Sequence, residues 1–186
     1  ALKENGMSAF FVETKEDAKR KILDIIPKNV EVMNMTSVTI DSVSLSKEIL
    51  ESGKYQSVRK KLEGMDMKTE SAEMQKLGAA PEWVIGSVHA VTQDGHVLIA
   101  SNTGSQLPAY AYGASHVIWV VGTQKIVKDT QEGMKRIYEH SLPLESERAK
   151  KAYGVSGSAV NKLLIINREV KSDRITIILV NEVLGF

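Results

Sequence analysis

The sequence predicts an α/β fold in which a mainly parallel central sheet is covered on both faces. Three observations carry this expectation. Apolar, strand-like runs alternate with amphipathic helical stretches along the chain. The segment "SHVIWVVG" holds a continuous apolar run, as expected of a strand buried on both faces. Small polar residues sit where strands lead into helices, which is where helix caps and ligand-binding turns occur.

The elements follow in order. "ALKENG" reads as the last turn of a helix ending at Gly6, with further residues expected before it. "AFFVE" is a short strand. "TKEDAKRKILDII" is a helix capped by Thr14, with Asp17 three residues on and Ala18, Ile22, Ile25 and Ile26 on one face. "NVEVMNM" is a second strand, and "TSVTIDSVSL" turns into helical spacing that runs through "SLSKEILESG" to Gly53. Tyr55 to Leu77 reads as two helices lying over the sheet, with Met65, Met67 and Met74 as adaptable core filling. "EWVIGSV", "HVLIAS" and "SHVIWVVG" are strands, the first two separated by a "QDG" turn. A short helix is expected from Leu107 to Tyr112, with Asn102, Thr103 or Ser105 as its cap. "KDTQEGMKRIYEHS" and "LPLESERAKKAYG" are helical, and "KLLIINRE" and "RITIILVNE" close the chain as strands.

Composition narrows the function. The 186 residues are 42% apolar and 25% charged, enough to bury a substantial core, and a single domain spanning 1–186 is expected. The 24 Lys and Arg nearly balance 23 Asp and Glu, so nothing asks for nucleic acid or an anionic membrane as partner. With no cysteine, this chain has no thiolate zinc or iron–sulfur ligands, and a cytoplasmic location is expected. No run approaches the length of a membrane span, so no membrane insertion is expected.

Two polar turns are the candidate binding elements. In "NTGSQ", Asn102 to Gln106, Gly104 allows backbone N–H groups to approach an anion, and Thr103 and Ser105 supply hydroxyls. In "NMTSVT", Thr36, Ser37 and Thr39 follow a strand and either cap the next helix or complete the same pocket. Both turns are also explained by capping alone. Lys125, just past the buried strand, is either an anion neutraliser or a solvated lysine. Glu182 at a strand end and Asp94 in the "QDG" turn are the catalytic carboxylate candidates, against readings as a surface carboxylate and a turn residue. His89 and His96 flank that turn without a clear third ligand, so no metal site is expected. There is no GxSxG elbow, HExxH motif or Walker loop.

The run "SVHAVTQDGHVLIASNTGSQLPAYAYGASHVIWVVGTQKIVKDTQEGMKRI" resembles the LUD domain, the lactate-utilisation family, and "FFVETKEDAKRKILDIIP", "LPLESERAKK" and "RITIILVNEVLGF" extend the likeness over nearly the whole chain. The resemblance implies a three-layer Rossmann-like fold similar to ribose-phosphate isomerases, CoA transferases and formyltetrahydrofolate cyclo-ligases. It also implies that the turn at Asn102 to Gln106 lines a ligand cleft with an acidic residue such as Asp94 beside it. Two departures bear on chemistry. The cysteine-rich segment of many relatives is replaced by "AYGVSGSAVNKLLIINRE", and the family's "GNR" is "GSQ" at Gly104 to Gln106, so Lys125 or the backbone must replace an arginine as anion anchor.

The resulting expectation is a cytoplasmic subunit or accessory protein of lactate or small hydroxy-acid utilisation, with a small-anion-binding cleft. Redox partner proteins carry the electrons, and self-association into a homo-oligomer is compatible with this reading. The alternatives are a stand-alone enzyme acting on a sugar phosphate, folate or CoA ester, and a non-catalytic ligand-binding protein. The cofactor is left open.

Overall fold

The computed structural model describes all 186 residues, Ala1–Phe186. After a turn at Leu2–Gly6, the chain forms β1 (Ser8–Val12), α1 (Lys15–Ile25), β2 (Glu31–Asn34), α2 (Val38–Ser42), α3 (Leu45–Glu51), β3 (Gln56–Ser57), α4 (Val58–Glu63) and α5 (Ser71–Ala79). It continues through β4 (Trp83–Gly86), β5 (Ala90–Thr92), β6 (Val97–Ser101), a π-turn at Ala109–Gly113, and β7 (His116–Gly122). Then come β8 (Ile126–Val127), α6 (Thr130–Arg136), a second π-turn at Ile137–Ser141, α7 (Leu142–Tyr153), β9 (Lys162–Ile166) and β10 (Ile175–Val180).

Local chemistry sets many of these boundaries. Thr14 caps α1 by accepting from the Asp17 N–H at 3.1 Å, the arrangement its spacing predicts. Asp129 caps α6 in the same way at 3.0 Å. The helix expected to run on to Gly53 is instead two helices. The chain breaks at Ser44, which takes a left-handed φ of 56°, where a stretch rich in serine and β-branched residues offers little helix propensity.

Six strands form a wholly parallel sheet in the order β1-β10-β7-β4-β2-β3. Four more form a second, mixed sheet in the order β8-β5-β6-β9. This second sheet takes "HVLIAS" and "KLLIINRE", which strand patterning alone does not separate from the central strands. The Thr92–His96 turn is too short for a crossover, so β5 and β6 pair antiparallel and leave the parallel sheet.

One face of the parallel sheet packs Ile85, Ile118, Val120 and Ile178 against Ala18, Ile22, Ile40 and Ile49 of the first three helices. The other packs Val84, Val117, Trp119 and Ile177 against Val91, Val97 and Ile99 of the second sheet and Tyr110 of the first π-turn. Each buried Val or Ile among these contributes roughly 1.5–3 kcal/mol. The second sheet is covered outside through Ala90, Leu98, Ala100 and Ile137. The layers are therefore helices, parallel sheet, second sheet, and outer helices.

The strand order positions the site. From β2 the chain moves outward to β3, whereas from β4 it moves inward to β7. The carboxyl ends of the adjacent β2 and β4 thus lead in opposite directions, which opens a crevice of the kind where α/β sheets hold ligands.

Candidate functional site

At this crevice lies Lys125. It ends the 3₁₀ turn Thr123–Lys125 that follows β7, and only 3% of it is exposed. Its side chain crosses the carboxyl end of β4. Nζ donates to Thr39 Oγ1 at 3.0 Å, Ser87 Oγ at 3.1 Å and the Val88 carbonyl at 3.2 Å. Thr39 in turn donates to the Leu184 carbonyl at 3.1 Å. All three acceptors of the ammonium are neutral, and no carboxylate offsets its charge. Burial, with a further push from the charge of Arg136, lowers the lysine to about 7.

The segment after β10 closes over this turn. Gln124 Nε2 donates to Leu184 O at 2.9 Å, and a Cβ added to Gly122 would lie 2.6 Å from Glu182 O and 2.8 Å from Leu184 N. Glycine is therefore required where β7 ends. Gln124 Oε1 and Asn34 Oδ1 are buried here without protein partners.

The charge of Arg136 acts on Lys125 and on two histidines nearby. His89 accepts from the Ala100 N–H through Nδ1 at 3.1 Å, which needs that nitrogen unprotonated. Burial, then the charges of Lys125 and Arg136, push this histidine down to about 4. His140 is lowered by desolvation and by the same two charges. The charges of Lys125 and Arg136 favour an anion over a metal ion, whereas His89 is held neutral. No three His, Cys, Asp or Glu side chains are grouped to hold one.

The residues expected from the sequence divide between this crevice and other places. Lys125 and Thr39 meet directly. Ser37 caps α2 through the Ile40 N–H at 3.5 Å, and Thr36 accepts from Arg59 Nη2 at the exposed rim of the same turn. Asn102 to Gln106 follows β6 and is largely self-satisfied. Ser101 Oγ accepts from Gly104 N at 2.8 Å and donates to Gln106 Oε1 at 2.9 Å, while Thr103 Oγ1 accepts from Ser105 N at 3.3 Å. Asn102 Oδ1 accepts from Asn161 Nδ2 at 2.7 Å, and the Thr103 carbonyl accepts from Lys162 Nζ. Two amides that would form an anion nest are thus already bonded within the loop, and the short π-turn beyond it has no side-chain cap.

The carboxylates stand elsewhere. Asp94 lies at the turn end of the β5–β6 hairpin, opposite the Val88 and Ser101 end, is 61% exposed, and accepts from Thr92 Oγ1. Its expected place beside a cleft at Asn102 to Gln106 is not where the structure puts it, because the hairpin separates the two ends. Glu182 is at the carboxyl edge, but its Oε1 accepts from the Lys15 N–H at 2.9 Å and so serves the start of α1. Ser87, His89 and Arg136 join the Lys125 environment without having been read as binding residues. Ser87 carried a signal, a small polar residue directly after an apolar strand, whereas Arg136 on an amphipathic helix carried none.

Fold and crevice together define an α/β protein with a buried, unneutralised cation at the switch point of a parallel sheet. The chain belongs to the LUD domain family, whose model matches residues 1–180; the family name implies lactate utilisation. Among solved structures it is similar to a DUF162 family protein from Deinococcus radiodurans, at 11% identity and a TM-score of 0.56, covering 97% of this chain and 92% of that one. That likeness shows a shared fold. It also matches ribose 5-phosphate isomerase from Plasmodium falciparum at 15% identity, over 86% of this chain and 80% of that one, with a TM-score of 0.40. The second likeness is too distant to support an argument about chemistry. No curated protein matches the chain. No helix is long and apolar enough to cross a membrane.

Proposed function

We propose that this protein binds a small organic acid anion in the crevice around Lys125. In this reading it serves lactate or related hydroxy-acid utilisation as a cytoplasmic subunit or accessory protein, with electrons carried by partner proteins. The observation that carries the reading is the buried Lys125 ammonium, held by Thr39, Ser87 and Val88 with no carboxylate to neutralise it. A buried charge without a counter-ion is costly, and an anionic guest removes that cost. Family membership supports the substrate class.

A stand-alone enzyme is the second reading, and one observation favours it. A lysine lowered to about 7 is suited to proton transfer near neutral pH. Turnover of a sugar phosphate, folate or CoA ester by the purified chain alone, lost in Lys125→Met, would select this reading over the subunit.

The test of binding is a thermal-shift series of wild type and Lys125→Met against lactate, pyruvate, sugar phosphates, CoA esters and folates. Lactate or pyruvate should raise the melting temperature of the wild type by mass action and leave that of Lys125→Met unchanged. Equal shifts in both proteins would remove Lys125 from the site.

A further inference from the structure

Lys125, Thr39 and Leu184 are 3%, 1% and 3% exposed, so nothing reaches the ammonium from solvent unless part of its surroundings moves. Most of those surroundings are fixed by the core. Ser87 and Val88 follow β4 and Lys125 follows β7, both inner strands of the parallel sheet, and Thr39 precedes Ile40, which is fully buried against that sheet. The segment after β10 is held differently. Asn181 N–H donates to the Val12 carbonyl at 3.0 Å, and beyond it residues 182–186 make no backbone–backbone hydrogen bond. Segments fastened by few bonds are the ones that open locally.

What fastens this segment is centred on one residue. The Leu184 carbonyl accepts from Thr39 Oγ1 at 3.1 Å and from Gln124 Nε2 at 2.9 Å, and its side chain packs in the cluster of Ile40 and Val180. Thr39 Oγ1 is the same atom that accepts from Lys125 Nζ, so the latch and the lysine share a partner. The fit is close: a Cβ on Gly185, whose φ is +65°, would lie 2.4 Å from that hydroxyl. The segment starts at a fixed point, Glu182, whose Oε1 accepts from the Lys15 N–H at 2.9 Å. Val183, 78% exposed, joins the fixed point to the latch.

Closure also carries a cost. A Cβ on Gly122 would touch Gln124 Oε1, the Glu182 carbonyl and Leu184 N together, so that amide oxygen lies against the segment, buried and without a donor. Lys125 is buried beside it without a counter-ion. Lifting the segment returns both groups to water and offsets part of the lost packing.

We propose that residues 183–186 form a strap over the Lys125 crevice, latched through the Leu184 carbonyl and pivoting at Glu182, that lifts to admit the ligand. As an entry route the strap rests on the anion-binding role proposed for Lys125; the opening itself does not.

Acetylation by acetic anhydride, followed peptide by peptide in the mass spectrometer, reads the opening with no ligand present. In wild type, Lys125 should react far more slowly than exposed Lys47, at a rate that low concentrations of urea leave unchanged, as local opening requires. Gln124→Ala removes one of the two latch bonds and should speed Lys125 by about 2- to 10-fold, with Lys47 as the constant reference. Gly185→Val, which has no room against Thr39, should speed it further. Wild-type rates at Lys125 in both variants overturn the latch. A wild-type rate that climbs with urea in step with global unfolding overturns the strap, because only the unfolded chain then exposes the lysine. Should Gly185→Val fail to melt cooperatively, Gln124→Ala decides alone. The entry role is read from stopped-flow association of pyruvate, which should quicken in Gln124→Ala by the same factor as acetylation. Association at the wild-type rate overturns the entry role and leaves the Lys125 site standing, whereas no association with either protein overturns both.

Discussion

Lys125 and Arg174 are both buried cations, and they are held in opposite ways. Arg174, 5% exposed just before β10, donates to Glu169 Oε2 at 2.6 Å, to the Ala114 carbonyl at 2.9 Å, and to the Ala109 and Tyr110 carbonyls at 3.0 and 2.9 Å. Its charge is neutralised and its donors tie down the first π-turn. Lys125, 3% exposed at the carboxyl edge of the sheet, has hydrogen-bond acceptors but no counter-ion. Burial alone therefore does not distinguish the two charges; the presence of an internal acid does. The first arrangement is complete within the protein, and the second is left without a counter-ion.

The largest effect that would test this contrast is on stability. Arg174→Ala should lose about 3–5 kcal/mol in urea unfolding, because it strands buried Glu169 and three carbonyls. A loss below about 1 kcal/mol would show that the clamp is dispensable. Lys125→Met should fold at least as stably as wild type at pH 6, since it removes an uncompensated buried charge.

The pH dependence sharpens the difference. The folded state lowers Lys125 from 10.5 to about 7, so between those values the unfolded chain holds the extra proton. Wild-type stability relative to Lys125→Met should then rise with pH across that window, by at most ~5 kcal/mol at 1.36 kcal/mol per pH unit. Below about 7 both states are protonated and the burial cost is present in full. A flat difference curve between pH 6 and 10 would mean that the ammonium is compensated inside the protein. The smallest effect is expected at Glu182, where loss of charge at the start of α1 in Glu182→Gln should cost about 0.3–1 kcal/mol and leave anion binding intact. Abolished binding in that variant would return Glu182 to the site.

Much of the fold was legible because its signals are local. Thr14 and Asp17 fix the start of α1, and the apolar run of β7 marks a strand covered on both faces. The Lys125 site was half legible: the lysine and the hydroxyl turn at Thr36 to Thr39 stood out, each beside a plain structural alternative. The loop at Asn102 to Gln106 had the right composition for an anion nest, yet Ser101 and Thr103 consume its amides. Side chains compete for the same N–H groups that a ligand would use, and composition does not reveal which wins.

By itself the sequence determined the alternation of strands and helices, the buried character of the central strands, the absence of cysteine chemistry and the family likeness. These follow from period, propensity and residue type, all readable within short windows. Only the tertiary structure decided that β5, β6, β8 and β9 form a separate sheet, and that Lys125 spans from β7 across β4 to α2. It alone gave Arg174 its glutamate and left Lys125 with neutral partners. Charge compensation depends on distances between residues far apart in the chain, in a medium where burial magnifies every unpaired charge. No local pattern encodes those distances.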